Sequence, residues 1–130
     1  MIYLSIPYTG CEDLSFRVSC AVLDKLIRAG NVAISTVVCG HAMRLQGRVD
    51  KSDYDLWLKY DLEILHYCDM LAVIKLDGWE NSAGVKAEIA KAKELDIPVV
   101  YINPDWFVPY YIMDKWSSSD KNERLAEITE

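Results

Sequence analysis

Leu71-Ala72-Val73-Ile74-Lys75-Leu76-Asp77-Gly78-Trp79-Glu80-Asn81-Ser82-Ala83-Gly84-Val85-Lys86-Ala87-Glu88 reads as a strand, a turn and the opening of a helix. The apolar run at 71–76 has strand length, Asp77-Gly78 is a turn-forming pair, and Ser82 is suited to cap the helix. A unit of this kind leaves free backbone N–H groups at the helix start, directed past the strand's carboxyl end. Those groups make a ready anion site. At about 100° per residue, Val85, Ile89, Ala92 and Leu95 share one helix face, and Glu88 falls inside that arc beside Gly84. Lys86, Lys93 and Glu94 mark the polar side. A carboxylate on an inward face needs a reason, which makes Glu88 a candidate functional group. The plainer reading, a charge that stabilises the helix dipole, suits Glu80 better.

Working outward, Ile2-Tyr3-Leu4-Ser5-Ile6 is a short strand ended by Pro7 and followed by Tyr8-Thr9-Gly10. Phe16, Cys20, Leu23 and Ile27 recur at helical spacing over 13–29, and Gly30 is a natural stop. The β-branched run at 32–38 predicts a second strand, and the polar stretch from Gly40 to Lys51 predicts a loop. A helix over 52–67 precedes the strand at 71–76 and the helix at 82–95. Ile97 to Ile102 is a fourth strand. Strands alternating with helices predict one flavodoxin-like or Rossmann-like α/β domain, a parallel sheet of four to five strands with helices on both faces. With the common order 2-1-3-4, ligands bind where the order reverses, between the first strand and the strand at 71–76. The loops Pro7–Gly10 and Asp77–Ser82 meet there.

Composition narrows the function classes. A formal net charge of −6 and a pI near 4.9 argue against a nucleic-acid polymer as partner, because backbone binding needs a basic surface. A small anion remains open to helix N-termini and loop amides. Cys11, Cys20, Cys39 and Cys68 show no CxxC pair and no metal-ligand spacing, and Cys20 and Cys68 sit in apolar helical patterns as small core residues. The chain opens directly on a strand, with no signal peptide and no apolar run of membrane-spanning length. The expected setting is a reducing cytosol, with neither membrane nor cofactor nor metal involved.

A second acid stands on the wrong face. In the helix at 52–67, Tyr54, Trp57, Leu58, Leu65 and Cys68 form an apolar stripe with Asp61 in its middle. A buried unpaired carboxylate costs several kcal/mol or is forced to protonate, so Asp61 has either a partner or a task. A structural Asp capping a nearby loop is the alternative. Asp55 and Glu63 lie off the stripe, and Asp69 caps a turn. His41 in its Gly-flanked loop can meet a ligand or sit at the core edge. Trp79 can wall a base-sized pocket or cover the sheet edge. Arg17 can meet a phosphate or form a surface salt bridge. Trp106, Phe107, Tyr110, Tyr111 and Trp116 suggest a core edge or a subunit contact, hence a homodimer or larger homo-oligomer.

These residues resemble the nucleoside 2-deoxyribosyltransferase-like superfamily. The resemblance is carried by strand–Asp77-Gly78-Trp79, then Ser82-x-Gly84, then Glu88. The Ile2-Tyr3-Leu4 and Pro7-Tyr8 start and the Trp57, Asp61-Leu62, Leu65, Cys68-Asp69 helix add to it. It covers about 1–102 and leaves 103–130 as an aromatic extension. The resemblance implies that Glu88 is the nucleophile attacking the anomeric carbon. It further implies that Asp61 contacts the sugar and assists acid–base work, and that Tyr3 holds the nucleophile. Nucleoside-specific transferases carry Asp six residues before the nucleophile. The branch that hydrolyses deoxynucleoside 5′-monophosphates carries Ser there, as Ser82 does here. The implied partner is therefore a nucleotide or nucleoside held by Pro7, Tyr8, Thr9, Gly10, His41, Asp77, Gly78, Trp79, Ser82 and Gly84. One departure stands out: Pro7-Tyr8-Thr9-Gly10 replaces the Gly-Ser-rich loop of the phosphate hydrolases, and Pro7 has no N–H to donate.

Overall fold

The computed structural model describes residues 1–47 and 53–106. In order, β1 (Ile2–Ser5), α1 (Glu12–Arg28), β2 (Ala33–Ile34), α2 (Thr36–Leu45), α3 (Tyr54–His66), β3 (Met70–Ile74), α4 (Ala83–Glu94) and β4 (Val99–Ile102) build the domain. Short 3-10 turns at Trp79–Asn81 and Pro104–Trp106 follow β3 and β4. The sheet has four parallel strands in the order β2-β1-β3-β4, an α/β Rossmann-like fold. The order reverses between β1 and β3, where Tyr3 pairs with Leu71 and Ser5 with Val73.

Alternation along the strands sorts side chains into two cores. Leu4, Ala72 and Ile74 pack under α1 with Val18 and Val22. Tyr3, Leu71 and Val73 face the other way, against Leu65 and Cys68 at the end of α3 and Val85 and Ala92 of α4. Ser5 has the same parity as Tyr3 and is equally buried. This second face carries the candidate chemistry.

Several expectations are corrected. The second strand is only two residues long, and the chain turns helical at Thr36. The reason is local: Ser35 caps the new helix, its Oγ accepting the Val38 N–H at 3.1 Å. That start outweighs the weak strand preference of Thr36-Val37-Val38. Of the loop expected over 40–51, residues 40–45 belong to α2, which carries Gly40, His41 and Arg44, and residues 48–51 lie outside the described residues. Tyr54 is exposed and drops out of the α3 stripe, and Cys20 is only half-buried. Asp69 pairs with the Met1 amino group instead of capping a turn, because the parallel pairing of Ile2 with Met70 lays the two residues side by side. Of the tail aromatics, Trp106 is exposed. Phe107, Tyr110, Tyr111 and Trp116 lie outside the described residues.

Candidate functional site

β1 enters the middle of the sheet and presents Tyr3 and Ser5 to the α3–α4 face, near the order reversal. The helix cap at Ser82, whose Oγ accepts the Val85 N–H at 3.3 Å, sets the phase of α4. That phase buries Val85, Glu88 and Ala92 together. Glu88 is 7 % exposed and meets the β1 side chains. Ser5 Oγ donates to Glu88 Oε1 at 3.1 Å. Burial foremost, with the nearby Asp61 charge adding to it, pushes the Glu88 carboxyl up to about 8. The hydroxyls of Tyr3 and Ser5 pull in the opposite direction without prevailing.

Asp61, half-buried on α3, supplies the second acid. Burial raises its carboxyl to about 6, against a lowering influence of the Thr36 hydroxyl. Its Oδ1 is enclosed and has no hydrogen-bond partner among the described residues. Thr36, the first residue of α2, also meets the Tyr3 hydroxyl at 3.0 Å. Tyr3 is fully enclosed. Burial, then the charges of Glu88 and Asp61, hold its phenol well above the ordinary tyrosine range. Thus β1, α2, α3 and α4 each send one or two side chains to a single polar cluster inside an otherwise apolar layer.

The residues expected to bind ligand divide into groups. Pro7 is buried, and its carbonyl accepts the Ser15 hydroxyl. Thr9 and Gly10 are exposed, and Gly10 holds a left-handed φ of 90°. Tyr8 is clamped by α2: its hydroxyl lies 2.7 Å from His41 Nδ1 and accepts Arg44 Nη1 at 3.3 Å. His41 is buried and stacks on Phe16 with ring centroids 4.4 Å apart. Asp77 and Gly78 are exposed, the latter with φ 92° at the turn. Trp79 leans on Tyr101 at 5.4 Å. A cavity of about 430 Å³ opens beside this turn, lined by Asp77, Trp79, Cys11, Lys75 and Asp105 among others. Neither Glu88, Asp61 nor Tyr3 lines it, so the cavity and the acids are separate features. Arg17 pairs with Asp13 at 3.3 Å on the surface. Among the described residues, no group of three or more His, Cys, Asp or Glu side chains is placed to hold a metal ion.

Two members of the cluster escaped the reading of the sequence. Ser5 was legible in principle, since it repeats the parity of Tyr3 in a strand. Thr36 was not, because it sat inside a run that reads as strand.

The family described as a domain of unknown function, DUF1937, matches residues 1–103. This chain belongs to that family. The DUF1937 match takes in every member of the polar cluster and both loops at the order reversal. Comparison with curated proteins gave no match.

Proposed function

We propose that this protein cleaves or exchanges the N-glycosidic bond of a (deoxy)nucleoside 5′-monophosphate, with Glu88 as the nucleophile. The observation that supports this most is the convergence of two inward acids from different helices, Glu88 and Asp61, around the Tyr3 hydroxyl. N-glycosidic cleavage passes through an oxocarbenium-like state that a carboxylate captures or stabilises. Ionised Glu88 attacks the anomeric carbon, the bond to the base breaks with its electron pair leaving on the base, and Asp61 donates a proton there. Water or a second base then releases the sugar from Glu88. Tyr3 and Ser5 hold the Glu88 carboxyl in place throughout.

The phosphate preference rests on Ser82. Capping uses a lone pair of its oxygen and leaves the hydroxyl proton available to an anion at the α4 start, next to the N–H groups of Ala83 and Gly84. Incubation with a panel of nucleotides and nucleosides, read by mass spectrometry, tests the reading: free base is expected. A second reading is a nucleotide sensor without turnover, favoured by a Glu88 that is enclosed and protonated at neutral pH. It returns intact bound ligand in the same assay. The setting that goes with either reading is cytoplasmic. Among the described residues, no helix is long and apolar enough to cross a membrane. The exposed Leu56 and Tyr60, one turn apart on α3, support a homodimer.

A further inference from the structure

The chemistry proposed for the two acids leaves the cavity of about 430 Å³ beside the 77–79 turn without a task. It opens past the carboxyl ends of β3 and β4, the edge at which parallel sheets take ligands. The two strands stay paired as far as Ile74 and Ile102, so the residues that follow, Lys75 and Asn103, leave the sheet side by side. The turn at Gly78, with φ 92°, brings Asp77 and Trp79 to the same cavity, and Leu14 and Leu76 complete its apolar wall.

Three features of this lining call for a ligand. Lys75 and Asp77 stand two residues apart in one cavity and, among the described residues, neither enters an ion pair. A ligand edge with an acceptor beside a donor bridges them, Lys75 Nζ donating to the first and the Asp77 carboxylate accepting from the second. The Asn103 amide is oriented as well: its Oδ1 accepts the Asp105 N–H at 3.1 Å, which leaves its NH2 as the end for a ligand. Trp79, braced by Tyr101 with ring centroids 5.4 Å apart, supplies a flat surface on which a flat ring stacks. An inorganic anion would use Lys75 alone and be repelled by Asp77. An aliphatic ligand would leave both charges unused. A planar heterocycle with a lactam edge, C=O beside N–H, uses all of them.

We propose that this cavity is a second ligand site, separate from the acids, that binds a free lactam nucleobase stacked on Trp79, with its C=O on Lys75 and its N–H on Asp77. No bond is made or broken there, so the site stands independently of the glycosidic reading. Hypoxanthine is the probe, because its O6 lies beside its N1–H. Purine is the control: it keeps the bicyclic ring and lacks both groups.

The test is calorimetric titration of the full chain with each compound. The wild type is expected to bind one hypoxanthine per chain, and purine about tenfold more weakly or worse. Trp79→Leu weakens hypoxanthine about tenfold or more through lost stacking. Asp77→Asn and Lys75→Met weaken it about fivefold each. These two change exposed side chains and therefore serve if Trp79→Leu does not fold. Glu88→Gln binds hypoxanthine as the wild type does, because Glu88 does not line the cavity. The site is overturned by no binding at millimolar hypoxanthine, by equal affinities for hypoxanthine and purine, by an affinity that Asp77→Asn and Lys75→Met leave unmoved, or by a loss in Glu88→Gln. A wild type that binds hypoxanthine in this pattern yet releases no base from any nucleotide keeps the site and defeats the glycosidic reading alone.

Discussion

Replacing Glu88 by Gln separates the chemistry of this carboxyl from its cost to folding. In the unfolded chain a glutamate ionises near 4.5, whereas in the folded protein burial holds Glu88 to about 8. The folded state therefore keeps a proton that the unfolded state has lost, and stability contributed by the protonated form is fully present below pH 4.5. It declines as pH rises from 4.5 and is exhausted above 8. A shift of this size is worth on the order of 5 kcal/mol, a large share of the stability of a small domain. Gln keeps the shape and the bond from Ser5 but cannot ionise, so the variant escapes that decline. Equilibrium unfolding in urea from pH 4.5 to 9 is expected to give nearly equal stabilities at the acid end. At the alkaline end Glu88→Gln should be the more stable by several kcal/mol, while its turnover falls at least ~100-fold. Parallel stability curves for wild type and variant across that range would refute the enclosed, neutral Glu88. Near-normal turnover by the variant would refute its role as nucleophile.

Asp61→Asn is expected to lower activity without unfolding the protein. Asp61→Leu, which removes an enclosed oxygen lacking a partner, should gain about 1 kcal/mol in urea unfolding at pH 8 while losing turnover. Ser82→Ala should cost about 1 kcal/mol through the lost helix cap. It should also weaken nucleoside 5′-monophosphates roughly ten- to a hundredfold by calorimetry while leaving nucleosides unchanged; equal affinities for each pair on wild type remove the phosphate site. Light scattering at micromolar concentration is expected to show twice the 14.8 kDa chain mass, and a single 14.8 kDa species removes the dimer.

Strand and helix periods are local properties, and they carried most of the architecture. The apolar run ending at Ile74, the Asp77-Gly78 turn and the Ser82 cap could be read directly, because each depends on residues within one or two turns of the chain. The inward phase of Glu88 followed from the same helical period, and the anomaly of Asp61 from its place in a largely apolar stripe. Alternation of strands and helices predicted a parallel sheet, and the common order assumed for such sheets, with the loops that meet at its reversal, is the one the protein adopts. Where two local preferences competed, the sequence misled: Thr36-Val37-Val38 favours a strand by side-chain shape, yet the Ser35 cap and packing against α1 make it a helix. That one reversal hid Thr36 and moved His41 from a loop to a buried clamp on Tyr8. What only the tertiary structure decided is which side chains meet across elements far apart in the chain. Ser5 on Glu88, Tyr3 on Thr36 and Tyr8 on His41 are pairings between residues 83, 33 and 33 positions apart. Such pairings are set by sheet order and helix packing, and no local period encodes them. The raised carboxyls have the same origin, since desolvation depends on everything packed around a group and not on its neighbours along the chain.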